Sequence, residues 1–331
     1  MKVVSHQRQQ GVVLISVLLI VALATIVATQ MSTRIMGQLQ RASNLEMNQQ
    51  AYWYAMGAEA LAKRVLLTVI DQDPDFINLS QIWAQGETAY PVDNGEIVGE
   101  ISDLQACFNL NALREEQSEE ANSKKSIQRI GFERLLVNLD IENVDDFTAE
   151  YMTDALIDWL DENTSIVSAG GAEDNDYAGQ EFAHLAANHY LADLSELRVI
   201  EHFTMDAINV LKDYVCVLPN NNLHQLNINT LSEDNVVLLQ SFLDISRDDA
   251  QEIISERGTD GFENTDDVFA LKVLTDAKLT TEQKAQIGVD SDYFQLSARA
   301  SFNNSYFTLV STFKVDNNKR VDVLRRSIGI N

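Results

Sequence analysis

Proline is scarce in this chain, with three in 331 residues beside 14 glycines. So few breakers, together with 45% hydrophobic residues, exclude a disordered or low-complexity polypeptide and suffice for one or two real cores. Basic residues are also few. Twenty-four Lys and Arg face fifty Asp and Glu, a formal net charge of −26, and such a field repels nucleic acid and anionic lipid headgroups. The five histidines are His6, His184, His189, His202 and His224. His184 and His189 stand five apart, which does not stack them on one helical face, and neither has a cysteine or second close histidine to complete a zinc set. No Gly-x-Ser-x-Gly elbow, phosphate loop or metalloprotease helix occurs. Carboxylates are so widespread that no pair singles out a hydrolytic cleft. The expectation is a protein that is not an enzyme.

Charge is also missing locally. From Val12 through Thr33 there are 22 residues without a charged side chain, against the roughly 20 needed to cross the hydrocarbon core of a bilayer. Lys2 and Arg8 precede the run and place the short N-terminus in the cytoplasm, with the remainder outside. Ala22, Ala24 and Ala28 offer a conventional signal-peptide cleavage site as an alternative. Against it, Met31, Ile35, Met36, Leu39, Leu45 and Met47 carry apolar periodicity across Arg34, Arg41 and Glu46, so the helix is expected to continue beyond the membrane. The residues alone leave a single-pass anchor and a processed leader both open.

Helix is predicted to run on through Gln49–Ile70, with Tyr52, Met56, Ala60, Arg64 and Val65 marking one side, until Asp71, Asp73 and Pro74 stop it. Trp53 and Tyr54 are expected to pack a sheet against this stem. From Glu96 to Leu113 the pattern reads as strand, turn and strand, followed by a polar loop from Glu115 to Lys125. Ile127 to about Asn222 is helical in period: Phe132, Leu135, Leu136 and Leu139 form one stripe, and Met152, Ala155, Leu156 and Trp159 another, capped by Thr148. Further helices are expected near Ser195–Ile200 and Met205–Val217. Thr230 to Glu233 and Ser246 to Asp249 both read as capping boxes opening helices. The turn between those helices lacks a glycine pair and sits among Asp244, Asp248, Asp249 and Glu252, so it is structural and not a phosphate site. Finally Tyr293–Phe302, Ser305–Val315 and Lys319–Ile328 alternate in the period of antiparallel strands.

One constellation has sharper chemistry, Asp158 to Gln180. Asp158 and Asp161 lie one helical turn apart, and Glu173, Asp174, Asn175 and Asp176 follow the Gly170-Gly171 turn. Calcium is a hard cation that takes six to eight oxygens of this kind, and the spacing is not that of an EF-hand. A solvated acidic loop is the competing reading in so acidic a chain.

A short basic leader ending in Gly11, followed at once by a hydrophobic helix that runs on as an amphipathic stem, resembles the leader of type IV pilins and type II secretion pseudopilins. Ser16 replaces the Glu that most members carry as the fifth mature residue. That departure, with FNLNAL (Phe108–Leu113) and an Asp-Trp-Leu-Asp followed by Gly-Ala-Glu-Asp and Tyr177, resembles the general secretion pathway protein K family, the large minor pseudopilins.

The resemblance implies an α/β fold: a pilin-like domain of long N-terminal helix plus antiparallel sheet, with a large all-α insert containing SAM-like or helix-hairpin-helix units. It implies a leader over 1–11, a transmembrane part over 12–33, stem and first strands over 34–114, the insert over 115–285 and completing strands over 286–331. A prepilin peptidase would cut between Gly11 and Val12 and the new amino group would be methylated, deepening the net charge to −28. Calcium ligands are expected at Asp161, Glu173, Asp174 and Asp176, with Asp158 secondary. The implied role is at the tip of the type II secretion pseudopilus, anchored in the inner membrane with the large domain in the periplasm. Expected partners are minor pseudopilins I and J, H through the tip assembly, and the inner-membrane secretion platform. In that compartment Cys107 and Cys216 are free to pair, and a disulfide between them is expected over two separate buried thiols. The alternative function is a single-pass, membrane-anchored periplasmic calcium-binding adaptor.

Overall fold

The structure, a computed structural model, describes residues 12–74, 76–114, 125–316 and 320–329. The expected leader through Gly11, nearly all of the Glu115–Lys125 loop and the Asn317-Asn318 turn lie outside the described residues.

Helix α1, Val12–Gln72, is continuous over 61 residues and therefore about 90 Å long. Its first 22 residues, Val12–Thr33, about six turns, carry an uncharged and largely apolar surface that nothing covers, and exposure continues through Leu45. Among the described residues it is the one helix long and apolar enough to cross a membrane. The upper third packs on a sheet, through a side other than the one that Tyr52, Met56, Ala60, Arg64 and Val65 mark. Ala51, Ala55, Ala58, Glu59, Ala62, Leu66, Val69 and Ile70 are buried, whereas Ala60 and Arg64 are exposed and Tyr52, Met56 and Val65 only half-buried. Small alanines let the helix backbone lie close to the sheet, and the larger residues flank that seam. Tyr52 meets Phe307 edge-on at 5.2 Å and Tyr54 meets Phe302 at 6.0 Å, while Trp53 remains in solvent.

The sheet has strands β1 (Thr88–Val92) and β2 (Gly95–Asp103) before a long excursion of the chain and three strands after it. Those are β7 (Tyr293–Phe302), β8 (Ser305–Asp316) and β9 (Arg320–Ile328), and the order is β1-β2-β7-β8-β9, antiparallel throughout. Asn94 and Asn303 adopt φ of 58° and 50° at the two tight hairpin tips, a conformation that asparagine tolerates. The alternation seen in the sequence is the β7–β9 meander. Strand β1 escaped it, because an edge strand with Pro91 and exposed centre carries no amphipathic signal.

Because Ile97–Asp103 of β2 pairs with Phe294–Ala300 of β7, everything between them leaves and returns between two neighbouring strands. The excursion opens with β3 (Phe108–Asn109), which pairs in parallel with β4 (Val215–Cys216); β5 (Leu226–Asn227) pairs likewise with β6 (Ile287–Gly288). The expected strand through Leu113 is thus only two residues, followed by a 3-10 turn over Leu110–Leu113. The two parallel ladders also mean that this part is mostly helical and not all-α. Its helices are α2 (Ile127–Asn138), α3 (Asp146–Leu160), α4 (Asp174–Ala178), α5 (Met205–Leu211), α6 (Val236–Leu243), α7 (Arg247–Glu256), α8 (Thr265–Phe269), α9 (Lys272–Ala277) and α10 (Thr281–Lys284).

Two capping expectations and two helix expectations are revised. Asp145, not Thr148, caps α3, accepting from the Thr148 amide at 2.8 Å. Near Ser195 there is a 3-10 turn, Leu194–Arg198, and α5 stops at Leu211 so that Val215 can join β4. Thr230 caps nothing: its hydroxyl donates to the buried Asp103 carboxylate at 2.5 Å. The Ser246–Asp249 box opens α7 as expected.

The helical core stacks Phe108 against Phe132 and Phe242, at 5.3 and 4.9 Å between centroids. Buried asparagines tie its loops together: Asn111 donates to the Leu191 and Leu218 carbonyls and accepts from the Leu191 amide. At the base, Cys107 and Cys216 are joined in a disulfide, Cα atoms 5.8 Å apart, beside the β3–β4 ladder.

Candidate functional site

The acidic constellation is built where α3 ends. Its amphipathic stripe buries Met152, Ala155, Leu156 and Trp159, and the same helix carries Asp154, Asp158 and, at its C-cap, Asp161 inward. Asp154 is fully buried and paired with the Arg129 guanidinium and the Ser168 hydroxyl. Asp158 has no such partner. One oxygen, Oδ1, accepts from the Val167 amide at 2.9 Å, and Oδ2 is buried without a hydrogen bond.

Across the loop stands Glu173, at the N-cap of α4, with both carboxylate oxygens buried and unbonded. Burial pushes the Asp158 carboxyl up to about 7, with the charges of Glu173 and Asp161 adding to the shift. Burial likewise drives Glu173 up to about 7, reinforced by Asp161, Asp174 and Asp176. Gly171 makes this approach possible, since a Cβ there would stand 2.1 Å from Asp158 Oδ2. Asp161 is buried too and turns its oxygens to the amide and side chain of Asn163, at 2.9 and 2.6 Å.

The five expected ligands therefore divide. Asp158, Glu173 and Asp161 are brought together and buried. Asp174 and Asp176 are more exposed, and each takes a backbone amide: Asp174 Oδ1 accepts from Ala186 at 3.1 Å and Asp176 Oδ2 from Glu173 at 3.0 Å. Among the described residues no group of three His, Cys, Asp or Glu side chains stands in metal-ligating geometry. Three orphaned carboxylate oxygens in a buried pair are nonetheless the donor chemistry of a hard cation, and unpaired they are electrostatically expensive. The residues present fit calcium in kind. Sequence reading passed over Asn163, the amide that orients Asp161; its signal was the Asx turn in Asp-Glu-Asn. Tyr177 is fully buried, edge-on to Trp159 at 5.3 Å, and packs rather than facing solvent. His184 lies over the Tyr177 ring at 5.0 Å, and His224 is enclosed between Phe108 and Phe242.

The second feature with functional content is the uncovered half of α1. Ser16 lies within it, and its hydroxyl donates to the Val12 carbonyl at 2.9 Å. This is a self-contained bond that requires no neighbour.

Two protein-family models, both described as Type II secretion system (T2SS), protein K, match residues 106–220 and 226–290. The type II secretion system protein K of Aeromonas hydrophila is 36% identical over 336 residues, covering 98% of each chain. That of Pseudomonas aeruginosa is 32% identical, covering 97% of this chain and 93% of the relative. Among solved structures, the GspK-GspI-GspJ complex of enterotoxigenic Escherichia coli matches with a TM-score of 0.78 at 30% identity, covering 88% of this chain and 100% of the other.

Proposed function

The chain belongs to the type II secretion system protein K family, and from that premise we propose that it stands at the tip of a periplasmic pseudopilus and helps to initiate it. It is a minor pseudopilin; identity across nearly its whole length carries that conclusion over the anchored-adaptor alternative. The finer reading follows from the physics of α1. The exposed, uncharged helix surface from Val12 to Thr33 is stable in a bilayer, and leaves it only for a place where other helices bury the same surface. A bundle of pseudopilin stems is such a place. The solved relative is named as a complex with GspI and GspJ, so the corresponding minor pseudopilins are the partners proposed here, with H reached through that assembly and the inner-membrane platform driving it.

The bulky helical part between β2 and β7 would hinder the stacking of another subunit above it, which suits the tip. Its α6–α7 pair is read as a SAM-like or helix-hairpin-helix unit used for shape alone. Ser16, satisfied by its own helix, suits a topmost subunit that has no methylated N-terminus above it to pair with. Calcium would be held by Asp158, Asp161 and Glu173, with Asp174 and Asp176 drawn in from their amides. When bound it would supply the positive charge that the orphaned carboxylates lack and pin α4 to the end of α3. No catalytic role is assigned.

Processing tests this reading. Protein recovered from membranes should begin with N-methylated Val12 when the prepilin peptidase is present, and retain Met1 when it is absent. An N-terminus beyond Ala28, or one indifferent to the peptidase, contradicts it.

A further inference from the structure

Between Arg134 and Arg198 the sequence contains no Lys or Arg and 15 Asp and Glu. This stretch is the strongest one-signed run of the chain, and it also displays apolar groups. Phe182 is 83% exposed, more than any other large hydrophobic side chain among the described residues, and Leu185 beside it is 64% exposed.

The segment bearing them is fixed by its own bonds. The Gln180 side chain donates to Glu201 Oε1 at 2.8 Å, and the His184 ring meets the Phe182 carbonyl at 2.8 Å. His184 also lies over Tyr177, and the Ala186 amide is held by Asp174 at 3.1 Å. Two apolar side chains are thus held out into water on an anchored loop. That is the arrangement of an interface anchor and not of a core residue that failed to pack.

We propose that the Phe182–Leu185 loop is a docking prong for a protein partner that offers an apolar pocket bordered by Lys and Arg. The surroundings choose that chemistry. Glu181 adjoins Phe182, Glu201 and Asp174 are bonded to the ends of the loop, and Asp176 stands exposed on α4. A second copy of this chain would bring like charge to like charge, and an anionic lipid surface would be repelled in the same way. Basic rim residues instead gain steering and specificity from the acids, while the pocket takes the aromatic and aliphatic anchors out of water. The stem interface is separate from this surface, and the cation site adjoins it through Asp174 and Asp176.

The test uses the full-length chain in cells with a working secretion system. Phe182, Leu185 and, as an exposed control on the sheet, Tyr306 are replaced one at a time by a photo-reactive phenylalanine. The prong is supported if illumination gives the same protein adduct from 182 and 185 but not 306, with a contact peptide containing apolar residues flanked by Lys or Arg. Glu181→Lys should then lower the adduct yield by at least about tenfold, as a like-charge contact at the rim would. Phe182→Asp should keep normal processing at Val12 and co-purification with the I-like and J-like subunits while secretion falls about tenfold or more, the effect of losing a central anchor. The proposal is overturned by adducts no stronger than the Tyr306 control, by adducts only to a second copy or to lipid, by an acidic contact peptide, or by unchanged secretion. Loss of processing or co-purification in the unsubstituted chain would instead count against the pseudopilin reading itself.

Discussion

Arg326 on β9 grips Glu59 on α1 with two parallel bonds, Nε to Oε2 at 2.6 Å and Nη2 to Oε1 at 2.9 Å, while Ser311 on β8 donates to the same carboxylate at 2.8 Å. Glu59 is 3% exposed, so this contact fixes how the stem enters the sheet. The hydrogen bond from Arg326 is the main cause holding the Glu59 carboxyl below its ordinary value, against the opposing effect of burial. Its stabilisation is therefore complete above the ordinary carboxylate range and is lost as pH falls through the lowered folded value.

Removing Arg326 strands a buried carboxylate. Arg326→Met should lower unfolding stability by about 2 kcal/mol, less than for a fully buried pair because the arginine is itself half-exposed. The double variant with Glu59→Gln should recover much of that loss. Urea midpoints of the detergent-solubilised chain decide it; equal midpoints for the single and double variants would show that the carboxylate is not stranded.

The disulfide should matter for more than local order. Cys107 and Cys216 are 109 residues apart in sequence and clamp the β3–β4 ladder where the helical part begins. Replacing both by serine should cost about 5 kcal/mol by loop-closure entropy. The check is calorimetry of the oxidised and doubly substituted chains, and an unchanged midpoint would leave the clamp without energetic consequence.

Asp103 predicts a pH dependence of opposite sign to that of Glu59. Burial pushes its carboxyl up to about 6, opposed by hydroxyl bonds from Ser291 and Thr230 and by the Gln105 amide, while Asp290 adds to the rise. The fold therefore binds the proton more tightly than the unfolded chain does. Stability is highest below the unfolded value near 4 and declines as pH rises through about 6, by an amount on the order of 2–3 kcal/mol. Asp103→Asn should remove that decline between pH 4.5 and 7.5. A wild-type decline that persists in the variant would assign it to another group.

Calcium should raise thermal stability by mass action on the folded state. The rise should disappear with chelator and be absent in Glu173→Gln, whose side chain cannot supply the anionic oxygens. Titration calorimetry of the purified chain at pH 7.5 reads the same interaction directly. Binding undiminished in Glu173→Gln and in Asp158→Asn would move the ion elsewhere.

The sequence made some of this legible and not the rest, for physical reasons. The stem, α2, α3 and the β7–β9 meander announce themselves because each buries one face at its own period. The buried face of α1 does not, because alanines seal it and a glutamate sits in its centre; its partner Arg326 lies 267 residues away. Nothing in the local pattern marks Asn109, Asn111, Asn227 and Asn229, yet they are buried and bind carbonyls or amides of remote loops. At the candidate site, spacing set Asp158 and Asp161 one turn apart at the end of a helix and Glu173 just after the Gly170-Gly171 turn. Which of the five acids would be left unpaired depended on which backbone amides lay within reach, and local pattern does not encode that.

The most direct test of tip placement is to count and locate this chain in pseudopili drawn from secreting cells, using gold-labelled antibody to the helical part and a second label for the I-like subunit. The account predicts one label of each kind, together, at a single end of each filament. Labels of this chain repeated along the shaft would contradict it.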